Sequence, residues 1–164
     1  GQGIGKNLFW EHFFGRGILG DQYFSYINNI NDLQGQFTSY TCLKLIVLLD
    51  EVDPAGARNS GLTNKLKSLI TANHEKLERK NKDAIEVDSF SAYVLLSNNY
   101  NCMDIEPNDR RYFALWASSD SVNQAYMEPL IQDAFNDQVK KHFFHYLMQR
   151  DVAGFKNKPI PETR

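Results

Sequence analysis

Leu43-Lys44-Leu45-Ile46-Val47-Leu48-Leu49-Asp50-Glu51 is the stretch that decides the fold. Leu43 to Leu49 is an aliphatic run bounded by polar residues, the pattern of a strand buried on both faces of a parallel sheet. Asp50, Glu51 and Asp53 follow at once, then a turn at Pro54-Ala55-Gly56. Tyr93 to Leu96 repeats the pattern and ends at Ser97-Asn98-Asn99, and Tyr112 to Trp116 reads as a third strand. Leu62 to Ile70 predicts a helix, and Glu75–Lys80 with Ile85–Val87 predict a β-hairpin around a polar tip. Upstream, Leu8, Phe9, Trp10, Phe13 and Phe14 recur at helical spacing, with Gly15, Gly17 and Gly20 ending the helix. A second short helical pattern runs from Asp21 towards Leu33. Downstream, Leu130, Ile131, Phe135, Val139, Phe143 and Leu147 describe one long amphipathic helix with Pro129 in its first turn. Strands alternating with helices predict an α/β layered domain with a mainly parallel sheet. Such sheets bind ligands at the carboxyl ends of their strands, where the acids and the Asn pair lie.

The 164 residues match one ordinary domain, long enough to bury roughly 68–70% of the unfolded chain's surface. With 42% hydrophobic and 23% charged residues the composition is globular, which excludes a disordered or collagen-like chain. A net charge of -2 leaves nucleic acid open, so the distribution of charge decides. Cys42 and Cys102 are too few for a disulfide framework and fit a reducing, intracellular compartment, the cytoplasm of a cell or viral host. Leu45 to Leu49, the longest aliphatic run, is far short of the ~20 residues that span a bilayer. No basic and apolar leader opens the chain. The ends, Gly1 inside a glycine-rich motif and Pro159-Ile160-Pro161-Glu162-Thr163-Arg164, read as those of a piece of a longer protein.

Gly1-Gln2-Gly3-Ile4-Gly5-Lys6, opening a helix, reads as the back half of a phosphate-binding loop. Glycines let successive backbone N–H groups turn inward, the helix N-terminus adds partial positive charge, and a Lys reaches the terminal phosphates. The alternative is a flexible glycine-rich terminus. A buried strand ending in Asp50-Glu51 is the partner such a loop needs: the Asp holds Mg²⁺ and the Glu orients and deprotonates water. Against this stands the plain reading of a solvated acidic loop. Asn98 at a neighbouring strand tip could touch a γ-phosphate or its water, or simply end the strand. Arg110 and Arg111 suit bidentate contact with phosphate, or a surface ion pair with Asp109 or Glu106.

In this order the residues resemble the superfamily 3 helicases of viruses, phages and plasmids, a branch of the AAA+ ATPases. The likeness is to the helicase part of phage, plasmid and poxvirus-type primase–helicases, and it spans essentially the whole chain. Gly3-Ile4-Gly5-Lys6 resembles the Walker A motif and Leu45 to Glu51 the Walker B motif. Leu77-Glu78-Arg79-Lys80-Asn81-Lys82 is similar to the hairpin after Walker B, Leu95-Leu96-Ser97-Asn98 to the sensor strand, and Asn108-Asp109-Arg110-Arg111 to the arginine-finger region. The tail from Leu147 to Thr163 also looks like that group.

The resemblance implies a P-loop NTPase fold of AAA+ type lacking its first strand, with an ATPase core over 1–118 and a C-terminal helical subdomain and linker over 119–164. It implies ATP held by Gly1, Gly3, Ile4, Gly5, Lys6 and Asn7, and Mg²⁺ held by Asp50 with Asn7. Glu51 would be the base, Asn98 the γ-phosphate sensor, and Arg110 or Arg111 a finger into a neighbouring subunit. Arg79, Lys80, Asn81 and Lys82 would meet single-stranded DNA inside a homo-oligomeric ring, a hexamer, with a primase domain in the same chain. One departure is Asn7, where the motif has a hydroxyl residue; an amide oxygen is a weaker hard ligand. The other is the strand that feeds the loop, expected before Gly1.

Between Lys65 and Lys82, six basic residues face only Glu75 and Glu78. Basic side chains on a projecting hairpin can track a phosphate backbone, though a solvated hairpin of mixed charge fits as well. His142 and His145 lie on nearly one helix face without a third ligand nearby, so a metal site is not expected there. Two rival functions remain: an AAA+ ATPase that remodels protein or loads DNA without unwinding, and a degenerate P-loop module for assembly or DNA binding.

Overall fold

The computed structural model describes residues 3–29, 32–33, 38–51, 60–99, 102–103, 105–106, 109–118 and 122–155. Gly1, Asp53, the turn at Pro54-Ala55-Gly56, Asn108 and the tail from Lys156 lie outside the described residues. The chain forms two compact units, Leu19–Asp104 and Gly1–Ile18 with Ile105–Arg164.

The first unit, the sheet unit, is mixed α/β. Strands β1 (Phe24–Ile27), β2 (Ile46–Leu49) and β5 (Ala92–Leu95) form a parallel sheet in the order β1-β2-β5, with Phe24 opposite Ile46 and Ile46 opposite Ala92. Val47, Leu48 and Leu49 are 0–1% exposed, so consecutive residues on opposite faces are both buried, as the unbroken aliphatic run predicts. Helix α2 (Ser60–Thr71) buries Leu66 and Leu69, three residues apart on one face. They join Ile27, Leu33, Val47 and Leu49 in the core, with Tyr93, Leu95 and Met103 packed against it. Strands β3 (His74–Leu77) and β4 (Ile85–Asp88) make the antiparallel hairpin that the sequence predicts.

The helical pattern expected from Asp21 towards Leu33 is instead a turn and strand β1. Tyr23 N and Phe24 N both donate to Gly20 O, closing a turn at a glycine with φ +73°, and Phe24, Ser25 and Ile27 are all buried. Burial on both faces leaves no solvent side for a surface helix, and the backbone gains a full ladder against β2.

In the second, helical unit, α1 (Leu8–Leu19) is wound as a π-helix. It runs through Gly15 and Gly17 rather than ending there, and only Gly20 follows its end. Residues five apart therefore share a face. The Phe9 and Phe14 rings stack 6.2 Å apart and nearly parallel, and Arg16 Nε donates to Glu11 Oε1 at 3.2 Å. A Cβ on Gly17 would sit 2.7 Å from His12 O and 3.0 Å from Lys140 Cε, so glycine there permits close approach and does not break the helix.

The single long helix expected after Pro129 is two: α3 (Gln124–Phe135), with Pro129 in its interior, and α4 (Asp137–Met148). Asn136 divides them. Its backbone is extended at φ -81° and ψ 118°, its N–H donates to Asp133 O, and its side chain accepts from Gln138 N at 2.9 Å. An Asn that closes one helix and caps the next ends the continuity that the apolar spacing implies. The strand expected at Tyr112–Trp116 does not form either; among the described residues this stretch joins no ladder, and Phe113, Leu115 and Trp116 are exposed. An apolar run becomes a strand only where a partner edge accepts its backbone.

Candidate functional site

The carboxyl edge of the parallel sheet collects the first group of candidate residues. Asp50 and Glu51 leave β2, and Ser97, Asn98 and Asn99 leave the adjacent β5. Asp50 is half-buried and fixed from two sides: Tyr26 Oη donates to its Oδ2 at 2.9 Å, and Glu51 N donates to its Oδ1 at 2.9 Å. Its own N–H donates to Ile27 O, which extends the β1–β2 ladder to the acid itself. A carboxylate oriented in this way is the hard oxygen donor that Mg²⁺ prefers.

Glu51 is exposed, and its φ of 51° lies in the left-handed region. For a non-glycine residue this costs about 1–2 kcal/mol, and such strain concentrates at sites where geometry serves chemistry. Asn98 and Asn99 are exposed, and Asn99 N donates to Ser97 Oγ at 3.0 Å, tightening the turn after β5. Tyr26 is the member that sequence reasoning missed, because its segment was expected to be helical. Its signal was the aromatic, strand-prone Phe24-Ser25-Tyr26-Ile27 between a glycine and Asn28-Asn29.

The helical unit holds the second group. Gly3 and Gly5 have φ of +75° and +81°, and Lys6 and Asn7 are the first helical residues, directly ahead of α1. Left-handed glycines alternating with ordinary residues before a helix N-terminus turn backbone N–H groups to one side, as an anion cradle requires. Phe9 N donates to Gly5 O at 3.0 Å, so the helix is engaged from the last glycine. Ile4, Lys6 and Asn7 are half-buried.

Arg110 and Arg111 have different surroundings. Arg111 grips Asp109 through Nε at 2.8 Å and Nη2 at 2.7 Å, and its backbone N also donates to Asp109 at 3.0 Å. The Asp109 side chain is 2% exposed, and its grip raises the Arg111 pKa further above its ordinary value. Arg110 is exposed. The bidentate pair holds the loop, and Arg110 is the side chain the loop presents.

The hairpin is the third group. Arg79, Lys80, Asn81 and Lys82 are exposed around a surface concavity completed by Glu78, Asp83 and Ala84, with Asn81 at φ 60° at the tip. Glu75, expected to offset this charge, is buried in the stem. The tip itself sets three basic side chains against Glu78 and Asp83, a smaller excess than the count between Lys65 and Lys82 implies. Among the described residues no three His, Cys, Asp or Glu side chains gather as a metal cluster, and no helix is long and apolar enough to cross a membrane.

Residues 1–111 match a family described as a family of unknown function, DUF5906. The chain belongs to that family. It is 35% identical over 112 residues to the DNA primase-polymerase of Nitratiruptor phage NrS-1, covering 68% of this chain and 15% of that protein. Two apo structures of the NrS-1 C-terminal region superpose with TM-scores of 0.64 and 0.62, each at 27% identity over 85% of this chain and 34% of theirs. This DUF5906 chain is thus homologous to the C-terminal region of the NrS-1 protein and spans a small part of its length.

Proposed function

We propose that this chain is an ATP-driven DNA helicase module of a phage-type primase–helicase. The observation that carries the reading is the sheet edge: a fixed Asp50 and a strained Glu51 at the end of one parallel strand, with Asn98 at the end of the next. The left-handed Gly3 and Gly5 before Lys6 supply the phosphate cradle such chemistry needs. Homology to a phage primase-polymerase supports a place in DNA replication.

In the sheet unit Asp50 would hold Mg²⁺, Glu51 would activate water and Asn98 would sense the γ-phosphate; in the helical unit Lys6 would neutralise the terminal phosphates and Arg110 would reach a neighbouring subunit of a ring. When bound, ATP with Mg²⁺ supplies the phosphoryl chemistry, and the chain's own residues bind, orient and take the proton. The hairpin tip tracks single-stranded DNA through phosphates. No aromatic side chain lies between His74 and Asp88, so base stacking has no platform there.

Asn7, in place of a hydroxyl ligand, favours a second reading, a non-catalytic P-loop module for assembly or DNA binding. Measuring ATP hydrolysis by the intact protein with and without single-stranded DNA separates the readings. Stimulated turnover supports the helicase, unstimulated turnover a remodelling ATPase, and no turnover with retained DNA binding the non-catalytic module.

A further inference from the structure

The β3–β4 hairpin is not hydrogen-bonded into the parallel sheet as a ladder. Side chains join it to the turn that leads into β2. Thr38 Oγ1 donates to Lys76 O and accepts from Glu78 N at 3.0 Å, so β3 is held at its backbone. Beneath it, Glu75 is buried at 8% exposure, an unusual place for a carboxylate unless it is satisfied. Its Oε2 accepts from Thr41 Oγ1 at 3.0 Å and lies 3.7 Å from Cys42 Sγ, while its Oε1 accepts from Ser89 Oγ. Thr41 and Cys42 precede β2, and Ser89 links β4 to β5. Ser91 Oγ then donates to Thr41 O and Lys44 O at 2.8 Å each, tying the start of β5 to the same turn.

One buried acceptor therefore connects the basic hairpin to the roots of the two strands whose other ends carry Asp50, Glu51 and Asn98. We infer that Glu75 is a positioning residue, the joint through which the hairpin and the sheet edge move together. The inference rests on the helicase reading for what the two ends do. Its physical content is local: displacing the hairpin must displace Thr41, Cys42 and Ser89 with it, or break charge-assisted hydrogen bonds in a buried setting. Val47, Leu48 and Leu49 of β2 are buried in a packed core, so a shift at the root of the strand is passed along it.

In the intact protein, Glu75→Ala should keep basal ATP turnover and affinity for a labelled single-stranded oligonucleotide within about twofold, as expected of a site remote from both. Stimulation of turnover by the oligonucleotide should fall at least about fivefold, the lower end of typical site-to-site coupling. Glu75→Gln, whose amide oxygen still accepts, should recover most of it. Thr41→Val with Ser89→Ala removes both hydroxyl donors, leaves only the weak Cys42 thiol and spares the acceptor, so the idea remains testable if Glu75→Ala does not fold. Full stimulation in the double variant overturns the joint. So does a loss in which turnover, affinity and stimulation fall in step, because that marks a merely structural residue. If the wild type binds the oligonucleotide without hydrolysing ATP, the helicase reading fails and hydrogen exchange tests the joint directly. Oligonucleotide binding should then slow exchange at Ile46–Leu49 in the wild type and not in the double variant, and equal slowing in both overturns it.

Discussion

In the sheet unit Val47, Leu48, Leu49 and Leu66 are at most 1% exposed, whereas α4 of the helical unit has no buried residue and exposes Phe144, Tyr146 and Met148. The sheet unit interlocks aliphatic side chains around a ladder. The helical unit relies on ring contacts: Phe9, Phe13 and Phe14 each meet Phe143, with centroids 5.3–6.3 Å apart. Such pairs contribute about 0.5–1.5 kcal/mol each beyond the area they bury. The difference assigns labour. The sheet unit fixes the Asp50 carboxylate by two hydrogen bonds, and the helical unit presents the glycine loop and Arg110 from a less buried framework.

The largest expected effect probes that division. Arg110→Ala should lower oligonucleotide-stimulated ATP turnover by roughly 10³–10⁵ if Arg110 is a finger. Arg111→Ala should act differently, by releasing Asp109 and loosening the loop, and a lower melting temperature would show it. Glu51→Gln should keep nucleotide affinity and lose turnover, and Lys6→Ala should lose affinity first. Weakened binding with intact turnover per bound ATP in Glu51→Gln would break the assignment of chemistry to the sheet unit.

Stability offers the next contrast. Leu66→Ala should cost about 2–5 kcal/mol, because a packed core cannot collapse around the void. Phe144→Ala should stay within about 0.5 kcal/mol, as an exposed surface substitution does. Urea unfolding of both variants checks this, and equal losses would mean that the helical unit is as tightly packed as the sheet. At the hairpin, replacing Arg79, Lys80 and Lys82 with Ala together should flatten the salt dependence of oligonucleotide binding by about 2 in log–log slope, for three phosphates at ~0.7 each. An unchanged slope would remove the tip from the DNA interface.

What was legible in the sequence follows from the same physics. Ile46 to Leu49 could be read because a strand buried on both faces leaves an unbroken aliphatic signature, and the hairpin because its polar tip separates two strand-prone runs. The acid pair and Asn98 could be placed at one sheet edge because both follow such strands. β1 is harder to read, since Phe24-Ser25-Tyr26-Ile27 is interrupted by polar Ser25 and lacks the unbroken aliphatic run of β2, and Tyr26 is lost with it. The extent of α1 was hidden because Gly17, of a type that breaks an ordinary helix, serves close approach in this one. Glu75 reads as surface charge in the sequence because nothing local shows that Thr41 and Ser89, 34 and 14 residues away, supply its donors.

The smallest expected effect concerns Cys42, beside Glu75. Burial, reinforced by the Glu75 carboxylate, raises its thiol pKa above the ordinary 9.0. The unfolded chain therefore gives up this proton at a lower pH than the folded one. Above that point the unfolded state binds fewer protons, so unfolding becomes easier as pH rises, and the full contribution is present only below it. Tyr93 is shifted upward in the same sense, by burial first and then by Glu75 and Cys42, and adds to the alkaline loss from its ordinary 10.0 onward. Urea midpoints measured between about pH 8 and 10 should thus fall for the wild type and fall less steeply for Cys42→Ala, whose remaining slope belongs to Tyr93 and the rest of the chain. Parallel slopes in the two proteins would mean that the Cys42 thiol ionises as readily folded as unfolded, and that its surroundings admit water.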